Sequence, residues 1–259
     1  MVPSPSTLLH CNQSGEPVRL RLDGLPLAGL TGHGVRVAIV DSGVHASHPH
    51  VGNVVGGIRL RVDGQDADYV DVLGHGTAVT AAIHEKAPDA ELIAVKIFDR
   101  QLTAGGDILA RAIRYAAGEG ARLVNLSLGT TNLARAPLLE NAVAAATAMG
   151  GLVVAAREVA GTEYLPGILQ GVASVLLDWT VPRDELEFTE DDRGITFRAS
   201  GYPRPIPGVP ADRNLSGASF AVANVTGFLA RLCEIDAQAR TPGDIVRLLS
   251  STRNSALRA

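Results

Sequence analysis

Five short apolar runs alternate with alanine-rich stretches, and this alternation limits most strongly the folds open to the chain. The runs are apolar almost throughout, as expected of strands that are covered on both faces. Strands separated by helices form parallel sheets with helices packed on each side. The sequence therefore predicts an α/β fold, a three-layer sandwich with a mostly parallel central sheet, whose strands lie at residues 35–40, 91–97, 123–127, 152–156 and 172–177.

Helical periodicity fills the spaces between these runs. Residues 106–118 and 137–149 repeat apolar side chains at helical spacing. The first segment ends in Gly118 and the second is followed by Gly150, as expected at helix ends. Thr241 and Pro242 open a last predicted helix, because proline is favoured in the first turn.

Two regions lie outside this pattern. Residues 1–33 include a possible edge strand at 18–22, and residues 179–215 are expected to be irregular. The acidic run 184–192 is interpreted as a solvated loop, with an electrostatic lure for basic substrates as the alternative. Neither region is long enough for a second domain, so residues 1–259 are predicted to form one domain.

Composition excludes several classes of protein. With 46% hydrophobic residues and a mean hydropathy of +0.16, the chain is not intrinsically disordered. A net charge of −4 argues against a nucleic-acid partner held by bulk positive charge. No targeting signal or run of about 18 apolar residues is visible, so we expect a cytoplasmic protein without a membrane partner. Cys11 and Cys233 could form one disulfide, but reduced thiols are expected in a cytoplasmic protein.

Three polar residues stand where an open α/β sheet places its functional site, at strand ends and helix starts. Asp41 ends the first core strand in Val40-Asp-Ser-Gly43, and His75 opens a helical run in Gly74-His-Gly-Thr77. Ser219 opens another helix in the segment 216–221, Ser-Gly-Ala-Ser-Phe-Ala. Taken singly, Asp41 could be a turn residue and Ser219 a helix cap.

Together, these motifs resemble those of the subtilisin-like serine proteases, the subtilase family. The resemblance lies in Asp-Ser-Gly, Gly-His-Gly-Thr and Gly-x-Ser-x-Ala in the order Asp, His, Ser, and it covers about residues 32–235. It implies a catalytic triad in which Ser219 is the nucleophile, His75 the general base and Asp41 the residue that orients the imidazole. The backbone N–H of Ser219, at a helix start, would stabilise the oxyanion.

The resemblance also implies a cleft in which an extended peptide pairs with strands near 99–103 and 127–129. The predicted substrate-binding residues are Phe98, Asp99, Ser127, Leu128, Gly129 and Ala156. No metal or other cofactor is predicted. Residues 83–88 are too short for the calcium-binding loop of many subtilases, and His45, His48 and His50 lack accompanying ligands at zinc-site spacing. No N-terminal inhibitory prodomain is expected, because the first core strand begins near residue 35.

The sequence departs from the family at the second oxyanion donor, which is usually an asparagine. Here the matching strand continues into Arg157 and Glu158. Arg157 could replace the asparagine as a charged donor, whereas Glu158 could donate only when protonated, and either could instead face solvent. Ala223 and Asn224 also replace the proline and histidine that usually follow the serine.

Two functions of different classes remain open on this evidence. The first is a serine endopeptidase that acts through an acyl-enzyme and is restricted to a specific precursor peptide. The second is a non-catalytic subunit that binds peptides, or one that needs a protein partner to complete the oxyanion hole. Transfer of the acyl group to an amine rather than to water is a further alternative for an active triad.

Overall fold

The structure is a computed structural model that describes residues 17–24, 26–99, 101 and 104–256. Twelve strands are found in this part of the chain: β1 (Val18–Arg21), β2 (Arg36–Asp41), β3 (Val54–Arg61), β4 (Gly64–Asp66), β5 (Glu91–Lys96), β6 (Leu123–Leu126), β7 (Leu152–Ala156), β8 (Glu158–Val159), β9 (Thr162–Glu163), β10 (Ala173–Leu177), β11 (Glu185–Asp191) and β12 (Gly194–Ala199). Its α-helices are α1 (His75–Lys86), α2 (Gly106–Gly118), α3 (Ala136–Ala148), α4 (Ala218–Ile235) and α5 (Pro242–Ala256).

Ten of these strands form a mostly parallel sheet in the order β1-β11-β12-β10-β7-β6-β2-β5-β3-β4. The pairings from β12 through β3 are parallel, and the antiparallel pairings lie at the two edges. β8 and β9 form a separate two-stranded hairpin. The predicted α/β class and the parallel sheet are confirmed, and the five predicted strands are found with ends shifted by at most one residue.

Helices cover both faces of the sheet, which gives the three layers that the sequence predicts. Val37, Ile39 and Leu92 point into a core shared with α1 and α4. Ala38 and Val40 point the other way, into a core shared with α2 and α3. Because successive side chains on a strand alternate between faces, a strand buried on both sides reads as a continuous apolar run.

Helix α4 is the central helix of this arrangement. Among the helices in the described part of the chain, it is the one long and apolar enough to cross a membrane, with 72% of its residues buried inside the protein. It packs against α1 and crosses the sheet at β6, β7, β10 and β12. Its apolar character is accounted for by the core that it fills. Cys233 of this helix is a buried thiol whose pKa burial raises to about 11, while Cys11 lies outside the described residues.

The prediction that residues 179–215 are irregular, with a solvated loop at 184–192, was wrong for their first half. β11 and β12 form a hairpin there, and β11 pairs with the edge strand β1. Glu185 and Glu187 of β11 are buried beside Arg19 of β1, which pairs with both carboxylates. These two carboxylates are therefore held in the sheet by arginines that lie more than 160 residues away in the sequence, whereas Glu190, Asp191 and Asp192 are exposed.

Candidate active site

Asp41 ends β2 at the carboxyl edge of the sheet, and its carboxylate is completely buried. Oδ1 lies 2.8 Å from Nδ1 of His75 and accepts a second hydrogen bond from the backbone N–H of Ser42 at 2.7 Å. A carboxylate can only accept, so Nδ1 of His75 carries the shared proton. In the neutral imidazole, Nε2 is then the basic nitrogen.

His75 is the first residue of α1, and 14% of its side chain is exposed. Burial by itself lowers the pKa of His75. The hydrogen bond from Nδ1 to Asp41 and the negative charges of Asp41 and Asp71 outweigh burial, so the pKa of His75 is raised above its usual value. This arrangement stabilises the imidazolium that forms when Nε2 takes up a proton.

Two glycines allow α1 to approach the end of β2. A Cβ at Gly76 would lie 2.2 Å from the carbonyl oxygen of Gly43 and 3.2 Å from the Cβ of Asp41. Gly43 has a φ of +104°, and a Cβ there would lie 2.4 Å from the carbonyl oxygen of Tyr69. Side chains at either position would push the histidine-bearing helix away from Asp41.

A second buried carboxylate, Asp71, holds the start of α1. Its Oδ2 accepts from the backbone N–H and the hydroxyl of Thr77, at 2.8 Å and 2.7 Å. Its Oδ1 accepts from the hydroxyl of Ser42 and from the backbone N–H groups of Leu73 and Gly74, each at 2.9 Å. Asp71 therefore satisfies N–H groups that the first turn of a helix leaves without partners.

Sequence reasoning missed this residue. An aspartate four positions before a helix-opening histidine, followed by a threonine, is a helix N-terminus signal that could have identified it. Burial by itself raises the pKa of Asp71, but the hydrogen bonds from Thr77, Leu73 and Gly74 outweigh it and lower the pKa below its usual value.

Ser219 is the second residue of α4. Its hydroxyl donates to the carbonyl oxygen of Ser127 at 3.1 Å. The ring of Phe220, the next residue, lies 5.7 Å from the imidazole of His75, measured between ring centroids. The structure thus brings the starts of α1 and α4 together, with the Ser219 hydroxyl directed to Ser127 rather than to His75.

A buried amide links Ser127 to α4. Asn125 of β6 donates from Nδ2 to the hydroxyl oxygen of Ser127 at 3.0 Å, and its Oδ1 accepts from the hydroxyl of Thr226 at 2.8 Å. Asn125 and Thr226 are completely buried. This pair fixes the end of β6 relative to the helix that carries Ser219, and sequence reasoning did not assign it a role.

The sequence of this chain matches proteins of one family. A family model described as the subtilase family matches residues 32–157. Subtilisin Savinase from Lederbergia lenta is 38% identical over a 216-residue alignment that covers 78% of this chain and 77% of that protein. The chain belongs to the subtilase family. An alkaline protease from Alkalihalobacillus alcalophilus is also 38% identical over 216 residues, but the chain spans only 54% of its length.

Solved subtilase structures share the fold. A cold adapted subtilisin-like serine proteinase superposes with a TM-score of 0.68 at 22% identity, covering 86% of this chain and 83% of that one. A lanthipeptide protease gives 0.64 at 19% identity, covering 83% and 79%. The prenylagaramide maturation protease PagA gives 0.60 at 27% identity, covering 78% and 76%.

The predicted substrate-binding residues of this subtilase fall into two groups. Ser127, Leu128, Gly129 and Ala156 are half-buried and lie where β6 and β7 end, beside Ser219. Asp99 is exposed and lies 3.4 Å from a guanidinium nitrogen of Arg59, whereas Arg100, Leu102 and Thr103 of the predicted second cleft strand lie outside the described residues.

Phe98 corrects a sequence prediction. Its side chain is 2% exposed and packs in the core between the sheet and α2 and α3. A phenylalanine in that position stabilises the fold through buried apolar surface and does not present its ring to a peptide. The prediction that Phe98 binds substrate was therefore wrong for its side chain.

Arg157 was one possible replacement for the oxyanion asparagine of subtilases, with a solvent-facing side chain as the alternative, and the structure directs it to neither place. Its Nη1 donates to the hydroxyl oxygen of Thr196 at 2.9 Å, and the residue is 8% exposed. Thr196 stands between Ile195 and Phe197 on β12, with Ser174 as its neighbour on β10. Because Val175 and Phe197 face α4, their neighbours Ser174 and Thr196 face the opposite side of the sheet. Arg157 is therefore not an oxyanion donor in this structure.

The other departures are also located. Glu158 is half-buried in β8, and its backbone lies opposite that of Glu163 in the antiparallel strand β9. Asn224 is completely buried, and its Nδ2 donates to the carbonyl oxygens of Ser200 and Tyr202 at 2.7 Å and 3.1 Å. Asn224 thus fixes the loop before α4. Within the described residues, no group of three or more His, Cys, Asp or Glu side chains is placed to hold a metal ion.

Proposed function

We propose that this chain is a serine endopeptidase whose triad is Asp41, His75 and Ser219. The observation that carries the proposal is the buried hydrogen bond of 2.8 Å between His75 Nδ1 and Asp41 Oδ1, which leaves Nε2 as the base beside the helix that carries Ser219. An imidazole oriented by a buried carboxylate is the activating pair that a serine nucleophile needs.

In the proposed reaction, the Ser219 hydroxyl rotates from the carbonyl of Ser127 to Nε2 of His75. His75 takes the hydroxyl proton as Oγ attacks the peptide carbonyl, and then gives that proton to the departing amine. Water resolves the acyl-enzyme by the same steps in reverse order. Apo hydrogen bonds at such sites are often loose and tighten when substrate binds, which agrees with the resting position of the Ser219 hydroxyl.

The oxyanion is held in this proposal by the backbone N–H of Ser219 and the positive end of α4. Arg157 is committed to Thr196, so it provides no second donor. Loss of one oxyanion donor typically lowers kcat by about 10²–10³-fold. We therefore expect a slow peptidase compared with a subtilase that keeps the asparagine.

We propose further that the substrate is a specific precursor peptide and that the enzyme acts in the cytoplasm. The likeness to a lanthipeptide protease and to a prenylagaramide maturation protease supports a role in peptide maturation. The expected weak oxyanion hole supports it as well, because a slow enzyme suits one well-positioned substrate better than general protein digestion.

The deciding experiment is labelling with a fluorophosphonate, followed by intact mass measurement. We expect one adduct on the wild-type chain and none on Ser219→Ala, whose folding is checked by its circular dichroism spectrum. Digestion of casein and of single purified precursor peptides then measures selectivity. A single cut in a precursor supports the restricted role, and rapid general digestion of casein contradicts it.

The second candidate is a peptide-binding subunit that is inactive alone or depends on a partner. The direction of the Ser219 hydroxyl toward Ser127 and the commitment of Arg157 to Thr196 favour it. Under this candidate the lone chain forms no adduct, and a second protein from the same cell restores both the adduct and hydrolysis. If hydrolysis is found, the mass of the product separates it from transfer to an amine, because only hydrolysis adds water.

A further inference from the structure

A cavity of about 540 Å³ lies beside the start of α1 and is separate from the strand ends at β6 and β7. One wall is the loop after β2, with His45, His48 and His50, and the base is the first turns of α1. The other wall is the segment 203–215, which leads into α4. Gly74, the residue before His75, and Leu215, four residues before Ser219, both line it. The cavity therefore adjoins the proposed catalytic residues.

The charged side chains of this cavity are unbalanced. Arg204 and Arg213 both line it, and neither forms a direct ion pair with a carboxylate that the structure describes, although the charge of Glu85 acts on Arg204 from farther away. Arg204 donates from Nη1 to the carbonyl oxygen of His50 at 3.3 Å, which uses one of the five donors of a guanidinium. Arg213 is exposed. The remaining donors of both side chains are free to bind an anion.

Asp71 is the one carboxylate among the lining side chains that the structure describes, and it forms no ion pair with either arginine. Both of its oxygens accept hydrogen bonds from Thr77, Ser42, Leu73 and Gly74. Asp71 keeps its negative charge while it holds the start of α1, so it offsets only one of the two arginine charges in the described lining.

Part of the lining is apolar, whereas Thr77, Asn214 and the three histidines add uncharged polar groups. Ala78 and Ala81 of α1 face Pro203, Ile206 and Leu215 across the cavity. Such a cavity fits a short aliphatic stem that ends in a carboxylate, because the stem packs on the apolar walls while the arginines bind the charge.

We propose that this cavity binds a carboxylate of the peptide on the carboxyl-terminal side of the bond that is cut. The proposal rests on the proposed peptidase function for its direction. If the upstream part of the peptide lies along Ser127–Gly129, the downstream part leaves on the His75 side, toward Arg204 and Arg213. The carboxylate is either an acidic side chain within the first three downstream residues or the free carboxyl terminus of a short downstream segment.

Binding to Ser219→Ala tests the cavity without any need for catalysis. The probes are alanine-based hexapeptides with a dye at the last residue, with Glu or Gln at position 1, 2 or 3 and with an acid or amide carboxyl terminus. We expect one Glu peptide to bind about tenfold more tightly than its Gln partner, as one charge-assisted contact would give. A preference for the acid terminus over the amide, without a Glu preference, assigns the carboxylate to the chain end.

Variants identify the residues responsible. In the Ser219→Ala background, Arg204→Gln with Arg213→Gln is expected to reduce the tenfold preference to about onefold. The matched control is Arg114→Gln, because Arg114 is an exposed arginine of α2, on the other face of the sheet. We expect this control to keep the preference. Thermal melting curves establish that each variant is folded.

The outcomes separate the two proposals. Equal or unmeasurable binding of Glu, Gln, acid and amide peptides overturns the carboxylate site, as does a preference that survives loss of both arginines. Cleavage of a random peptide mixture by wild type without enrichment of downstream Asp, Glu or chain ends also overturns it, although the peptidase function then stands. Arginine-dependent binding without hydrolysis or a fluorophosphonate adduct supports the site and overturns the peptidase function.

Discussion

Thr77 donates two hydrogen bonds to a single oxygen of Asp71, one from its backbone N–H at 2.8 Å and one from its hydroxyl at 2.7 Å. The same hydroxyl oxygen accepts from the backbone N–H of His45 at 3.0 Å. The start of α1 is thereby tied to the loop that follows β2, and His75 is held against Asp41 from outside the triad.

Asp71→Asn is expected to lower the free energy of unfolding by about 1–3 kcal/mol, because an amide cannot accept all the hydrogen bonds that the carboxylate accepts. Chemical denaturation measures this loss. Asp68→Asn is the matched control in the same segment, because Asp68 is exposed and pairs with Arg59 rather than with α1. A loss of equal size in both variants would contradict the positioning role of Asp71.

The acidic limb of the kcat/KM profile is expected to have its midpoint above about 6.5, the usual pKa of histidine. Catalysis needs neutral His75, and the hydrogen bond and charge of Asp41 raise the pKa of His75 despite burial. Asp41→Asn is expected to shift this midpoint downward and to lower kcat by roughly 10⁴-fold, since the wrong tautomer is then favoured. A midpoint at or below 6.5 in the wild type would be inconsistent with the site described above.

The same pKa shift predicts how stability depends on pH. A group with a raised pKa in the folded state stabilises it fully below the unfolded pKa, and this contribution is lost as pH rises through the folded pKa. The difference in unfolding free energy between wild type and His75→Gln should therefore be largest in acid and decrease above pH 6.5. Urea denaturation at a series of pH values measures this difference. A difference that grows with pH would contradict the raised pKa of His75.

Arg157→Met is expected to leave kcat within about threefold of wild type, because the guanidinium contacts Thr196 on the sheet face opposite α4. Stability should fall by about 1–3 kcal/mol, since the buried Thr196 hydroxyl loses its partner. Thr196→Val removes the hydroxyl that Arg157 contacts and is the matched control, because it should leave kcat equally unchanged. A fall of 100-fold or more in kcat for Arg157→Met alone would place Arg157 at the oxyanion after all.

Lys86 gives a second prediction about how stability depends on pH. Burial lowers its pKa to about 7, so between pH 7 and about 10 the unfolded chain binds more protons at this residue than the folded chain. The stability of wild type relative to Lys86→Met should then rise with pH across this range, by up to about 1.4 kcal/mol for each pH unit.

Glu85 pairs with both Lys86 and Arg183, so it keeps a cationic partner in the Lys86→Met variant. Unfolding in urea at pH 7, 8 and 9 is sufficient to test the prediction. A constant difference across the three values would mean that Lys86 keeps its charge in the folded protein.

Local pattern was sufficient for five core strands and the helices between them, but not for β3, β4, β11 and β12 or for the order of the strands in the sheet. A continuous apolar run such as Leu152–Ala156 reports burial on both faces, and helical spacing over Gly106–Gly118 reports one buried stripe. The positions of Asp41, His75 and Ser219 at strand ends and helix starts followed from the same patterns, together with the family motifs.

Long-range contacts explain where the predictions failed. The whole acidic run 184–192 was predicted to be solvated because the arginines that pair with Glu185 and Glu187 lie in β1, far away in the chain. Phe98 and Arg157 each follow the end of a strand, where the sequence does not determine which face of the sheet a side chain occupies. In the structure Phe98 packs in the core and Arg157 bonds to Thr196, so neither side chain lies in the cleft. Asp71 gained its role only when Ser42 and Thr77 came together around it.

The sequence by itself therefore determined the layers of this protein, the family to which it belongs and the three residues proposed for its chemistry, because each depends on neighbours within a few residues. Only the tertiary structure decided which charges are neutralised and which are free. Arg157 was bonded to Thr196, while Arg204 and Arg213 were left beside the catalytic helices without a direct ion pair in the described part of the chain. The pairing of a charge depends on residues far apart in the chain, so the fold must bring them together before it is known.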